Sequence, residues 1–196
     1  MTAQDLKLLH SVSRRRKLQL RGQITAHKVH FLAGRITALA QRSPRPIRLN
    51  IHSVGGDYRL ALELYDVIKS SRAPVFGVVS KAYSGALLVL SACSLRIGRV
   101  GSRYVAEPAW HELHVRVNPY TDTKLLSIVT EEHVSRTIQP YVREMWQRAH
   151  DILLAKVISA GRTEEELHQL LGSEPRALTE TEALRWGFID VVMYRP

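Results

Sequence analysis

The sequence is poor in cysteine: a single residue, Cys93, excludes an internal disulfide and leaves no thiolate set for zinc or an iron–sulfur cluster. Long apolar runs are missing as well. The longest, Ala86–Leu90, is far below the ~20 residues of a membrane-spanning helix. The polar start carries no apolar block of a secretory signal, so a soluble, cytoplasmic protein is expected. Acid is scarce at one end only. Residues 1–50 hold 11 basic side chains against the lone Asp5, whereas residues 51–196 carry 17 of each sign, so the formal net charge of +10 belongs to the first quarter. Its densest run, Arg14-Arg15-Arg16-Lys17, reads as a solvated entry segment; the alternative is a contact for nucleic acid, an acidic partner or an anionic lipid surface.

What is present is enough for one packed core: 196 residues, 45% hydrophobic and 23% charged, without repeats, low-complexity tracts or a separating linker. Lys17–Leu20 has a short strand pattern, and a helix is predicted around His27–Gln41, stopped by Pro44 and Pro46. Ile47–Ile51 alternates with period two and runs into Ser53-Val54-Gly55-Gly56. A helix from about Asp57 to Lys69, a buried strand over Pro74–Val79 and a nearly all-apolar helix over Ser84–Cys93 follow. Strand, helix, strand, helix order is the mark of a parallel sheet with right-handed crossovers. Arg103–Val117 is expected to be extended, and Thr121 to about Ile158 to be a long amphipathic stretch interrupted near Pro140. Glu164–Leu171 is predicted as a helix capped by Thr163, Glu180–Trp186 as a short helix stopped by Gly187, and Phe188–Met193 as a last strand. The expectation is a layered α/β domain with an elongated arm.

Two places join a strand end to small residues and a helix start. In Ser53-Val54-Gly55-Gly56, consecutive glycines let backbone amides approach a ligand, and amides at a helix start favour developing negative charge; an ordinary turn has the same pattern. In Tyr83-Ser84-Gly85-Ala86, a serine after a buried strand is placed either as an exposed nucleophile or as an ordinary helix N-cap. Neither His27 with His30 nor His111 with His114 has the further partner a metal site needs, so no metal and no cofactor are expected. Trp110, Trp146 and Trp186 are assigned to the core or to subunit contacts.

Taken in order, Ser53-Val54-Gly55-Gly56-Asp57, Leu64-Tyr65-Asp66-Val67-Ile68, Ala82-Tyr83-Ser84-Gly85-Ala86, Gly101-Ser102-Arg103 and Glu182-Ala183-Leu184-Arg185-Trp186-Gly187-Phe188-Ile189-Asp190 resemble the proteolytic subunit of the Clp protease over about residues 15–193. The resemblance implies a crotonase-like (ClpP-type) α/β domain over residues 18–196, behind a basic N-terminal segment over 1–17. It also implies an arm over about 111–159 that joins two rings face to face. It places Ser84 at the nucleophile position and the amides of Gly56 and Gly85 at the oxyanion positions. The implied partners are further Clp-type subunits, in a homo- or hetero-oligomer, with a Clp-family ATPase unfoldase and a peptide substrate if the chain is active; nucleic acid is not among them.

The sequence departs from the family at the other catalytic positions. Glu107 stands where the family carries its base histidine, and a free glutamate, with pKa near ~4.3, suits a serine hydroxyl at neutral pH far less than an imidazole near ~6.5. His111, four residues on, is the nearest imidazole and the displaced-base candidate. The family's orienting aspartate aligns with Leu170 or Leu171, and Glu174 is the nearest substitute carboxylate. His52 and Val54 replace the family's Asn and Pro in the glycine turn. Lys81, three residues before Ser84, raises a serine–lysine dyad, which needs a buried amine. The leading expectation is a weakly active or non-catalytic ring subunit of the serine peptidase family. The alternatives are an active serine endopeptidase using Ser84 with His111, a crotonase-like acyl-thioester enzyme with Glu107 as base, and a basic adaptor that binds polyanions.

Overall fold

The computed structural model describes residues 9, 12–106, 139–171 and 176–194. After a single 3-10 turn, Arg14–Arg16, the order is β1 (Lys17–Ile24), α1 (Ala26–Arg42), β2 (Ile47–Gly56), α2 (Tyr58–Ser70), β3 (Val75–Tyr83), α3 (Gly85–Ala92) and β4 (Leu95–Ala106). It continues with α4 (Gln139–Ser159), α5 (Glu164–Leu171), β5 (Arg176–Thr179), α6 (Glu180–Arg185) and β6 (Val191–Met193).

Strands β1 to β4 pair in parallel in sequence order, as the strand–helix alternation predicts. Two additions lie on β4: β6 pairs parallel to its first half and β5 antiparallel to its second half. The β5 strand was not expected from the sequence, because four residues are too few to show a period. The last strand is also shorter than expected, three residues instead of six, since Phe188 and Ile189 turn into the core before pairing begins.

Alternation in β1 sends Leu18, Leu20 and Ile24 to the covered face and leaves Lys17, Gln19 and Arg21 exposed. On α1, Val29, Leu32, Ile36 and Leu39 recur at helical spacing and are buried; on α2, Ala61, Leu64 and Ile68 do the same. Helix α3 is buried along its whole length, which is why its sequence is apolar all round. It sits between the sheet and the helices α2 and α4, with its first residue at the C-terminal ends of β2 and β3.

The helix ends are fixed locally. Asp57 caps α2 by accepting from the Arg59 amide at 2.8 Å, and a reciprocal Thr179–Glu182 box starts α6. Thr163 and Glu166 form the same reciprocal pair at α5, as the sequence indicates.

The basic run is not wholly a solvated segment. Arg14, Arg15 and Lys17 are exposed, but Arg16 is only 8% exposed, and its guanidinium donates to the carbonyls of Leu39, Ser43, Arg45 and Pro46 at 2.5–3.1 Å. The cation thus closes the C-terminal end of α1, where carbonyls lack helical partners. Three more of the N-terminal basic residues line a groove on the sheet. Lys17, Arg21 and Arg48 meet Arg99 there, brought in from β4. Burial, and secondarily Arg99, lowers the Arg48 guanidinium from its ordinary pKa.

Candidate active site

The two glycine-containing turns found in the sequence come together in space. In β2, Gly55 (φ +86°) and Gly56 (φ +151°) adopt backbone conformations that favour glycine. A Cβ at Gly55 would lie 2.6 Å from the Tyr83 carbonyl oxygen and 2.7 Å from the Ser84 Cβ, so the glycine turn lies directly against the serine corner. Gly85 borders the same turn, with 3.5 Å between the position of an added Cβ and the Gly56 carbonyl oxygen. Ser53 holds the turn from below, donating to the Gly22 carbonyl at 2.6 Å and accepting from the Gly55 amide at 3.1 Å.

Ser84 is not an ordinary N-cap, which corrects that reading of the sequence. Its side chain makes no capping hydrogen bond, and its backbone, at φ 53° and ψ −129°, makes it the one non-glycine residue with positive φ among the described residues. A serine held there costs about 1–3 kcal/mol, and such strain at a strand-to-helix corner is how a nucleophile is projected from a sheet edge. The backbone is over-determined: the Ser84 amide donates to the Val105 carbonyl at 2.9 Å, and its carbonyl accepts from the Leu87 amide at 2.8 Å. Ser84 is 8% exposed, and its hydroxyl lies 3.3 Å from the phenol oxygen of Tyr58.

Tyr58 was not singled out from the sequence. It opens α2 directly after the Asp57 cap, and its ring packs on Trp146 of α4 at 4.2 Å between centroids. Its only sequence signal was position, one residue past the glycine turn's cap. Lys81 extends its ammonium over the Tyr83 ring, 5.1 Å from the centroid, and is half-buried. His52 faces Ser80, with Nδ1 2.9 Å from the Ser80 hydroxyl. Glu107, His111 and Glu174 lie outside the described residues. Leu170 and Leu171, with one or the other of which the resemblance aligns the family's orienting aspartate, are 7% and 4% exposed and belong to the apolar core together with Leu167.

Away from this corner, Arg96 fixes the end of the chain to β4. Its guanidinium pairs with the Asp190 carboxylate and donates to the Gly187 carbonyl at 2.6 Å. Cys93 is buried beneath α3, where burial pushes its thiol up to about 12 and removes it from thiolate chemistry at neutral pH. Trp186 carries the Arg162 guanidinium on its face at 4.3 Å.

Comparison with solved structures places this arrangement in known company. The chain is similar to ClpP1 from Listeria monocytogenes, with a TM-score of 0.69 and 17% identity over 98% of this chain and 97% of that one. It is also similar to a point mutant of ClpP1 from the same organism, with a TM-score of 0.68 and 18% identity over 98% and 96% of the two chains. At such identity these likenesses establish the ClpP-type α/β fold. The profile of the family described as Clp protease matches residues 2–196, so that fold, sequence pattern and the apposed Gly55-Gly56 and Ser84 corners converge, and the chain belongs to the Clp protease family.

Proposed function

We propose that this chain is a subunit of a ring-shaped Clp-type proteolytic assembly whose own serine is weakly active or non-catalytic. The observation that supports the reading is the burial of Leu170 and Leu171 in the apolar core, since the family's orienting aspartate aligns with one of them by resemblance. Without that carboxylate, an imidazole has nothing to hold its tautomer or stabilise the imidazolium. Glu107 at the base position points the same way, because an ionised carboxylate is a poor acceptor for a serine proton. What remains is the serine corner and the candidate oxyanion amides of Gly56 and Gly85; such a remnant supports a rate enhancement of ~10³–10⁴ over water.

Ring assembly is supported by family membership and by apolar side chains on the protein surface. Ile158 and Leu184 are 53% and 40% exposed. The elongated arm over about 111–159 is the proposed joint between rings, with paralogous subunits and a Clp-family unfoldase as proposed partners.

Fluorophosphonate labelling tests the catalytic half. The expected result is labelling near background, unchanged by Ser84→Ala and little raised by Glu107→His. Stoichiometric, Ser84-dependent labelling of the unmodified chain would overturn it. Loss of that labelling in His111→Ala would then identify His111 as a displaced base and the chain as an active serine endopeptidase. Sedimentation at tens of micromolar tests the assembly half, and a monomer there contradicts it.

A further inference from the structure

Helices α4 and α5 are joined by residues 160–163, with the Arg162 amide returning to the Val157 carbonyl at 3.1 Å, so α5 folds back onto α4. This brings together two histidines that are 18 positions apart in sequence. The rings of His150 on α4 and His168 on α5 have centroids 5.2 Å apart and planes inclined at 38°. Glu164 stands one turn before His168 on the same helix face, its Oε1 3.6 Å from the His168 Nε2. One ligand atom from each of His150, Glu164 and His168 lies within 4.8 Å of the other two.

Two imidazoles and a carboxylate are the donor set of an open zinc site, with a fourth position for water. In such a site the donors, each about 2.0–2.2 Å from the ion, stand roughly 3.4 Å apart. Closing the remaining distance falls to the mobile partners, since the side chains of His168 and Glu164 are 45% and 59% exposed. The third donor is already fixed: His150 is 5% exposed and both its ring nitrogens are shielded from solvent. Asp151 lies beside it, its Oδ1 3.6 Å from the His150 Nδ1 and accepting from the Gln147 side-chain amide at 2.9 Å.

We propose that His150, Glu164 and His168 form a divalent transition-metal site of the zinc class, which staples α5 to the base of α4. The ion is held by one buried imidazole, one exposed imidazole and one exposed carboxylate, so it cross-links two helices through side chains that otherwise make only surface contacts on α5. His150 follows Trp146 by one helical turn, and Trp146 packs on Tyr58 beside Ser84; the staple therefore steadies the helix that backs the serine corner.

The test is titration of the full chain, stripped with a chelator, with Co²⁺ as a spectroscopic probe and Zn²⁺ as competitor. The expected result is one equivalent of Co²⁺ with the visible bands of a four-coordinate ion, displaced by Zn²⁺, and a thermal midpoint that rises with Zn²⁺. Both signals are lost in His168→Gln, and affinity falls at least tenfold in Glu164→Gln; neither variant touches the core. A His27→Gln/His30→Gln double variant retains them. Absence of the bands, or bands that survive His168→Gln, overturns the proposal.

Discussion

The Ser84 hydroxyl and the Tyr58 phenol oxygen are 3.3 Å apart, which ties the serine corner of α3 to the first residue of α2. The contact also reaches α4, because the Tyr58 ring packs on Trp146. Tyr58→Phe keeps the ring packing and removes the hydroxyl. The expected loss is about 0.5–1.5 kcal/mol in urea denaturation, the ordinary net value of one hydrogen bond. Fluorophosphonate labelling should stay near background, as the proposed function expects of the unmodified chain.

Strain at Ser84 can be read by comparing two substitutions that both remove the hydroxyl. Ser84→Ala keeps a Cβ at φ 53°, whereas Ser84→Gly relieves it. The glycine variant should be more stable than the alanine variant by about 1 kcal/mol, the opposite of the usual order for these residues in regular structure. Equal chemical-denaturation midpoints would show that the corner is not strained.

Arg16 is expected to behave as a core residue within a surface run. Arg16→Met preserves much of its volume but strands the carbonyls of Leu39, Ser43, Arg45 and Pro46, at an expected cost of about 2–3 kcal/mol. Arg15→Met, on an exposed neighbour, should stay within about 0.5 kcal/mol. Any polyanion affinity should therefore be mapped with Arg14 and Arg15 substitutions, read as a fall in binding with rising salt, and not by deleting residues 13–17.

Asp57 supplies a dependence on acid. Hydrogen bonding from the Arg59 side chain, partly opposed by burial, holds its carboxyl below the usual carboxylate range. A depressed folded-state pKa contributes stability above the unfolded value, near ~3.9, and loses it as pH falls through the folded value. Asp57→Asn keeps the cap and removes the charge. The stability gap between the two proteins should be constant above about pH 5 and shrink below about pH 4.

The amino-acid sequence by itself determined the parallel α/β core, because periodicity in Ile47–Ile51, the all-apolar Ala86–Leu90, the cap at Thr163 and the stop at Gly187 are local properties of the chain. It also located the two corners of the site through Gly55-Gly56 and Ser84-Gly85, whose small residues mark where backbone must approach backbone. Only the tertiary structure decided that Arg16 closes α1, that β5 pairs backwards on β4, and that Tyr58 faces Ser84. It alone brought His150 beside His168 and Glu164. These are contacts between residues far apart in sequence, set by how α4 and α5 fold back and how β4 accepts strands on both sides; no spacing along the chain encodes them. The burial of Leu170 and Leu171 belongs to both levels: their apolar character is written in the sequence, and their enclosure in the core follows from the packing of α5.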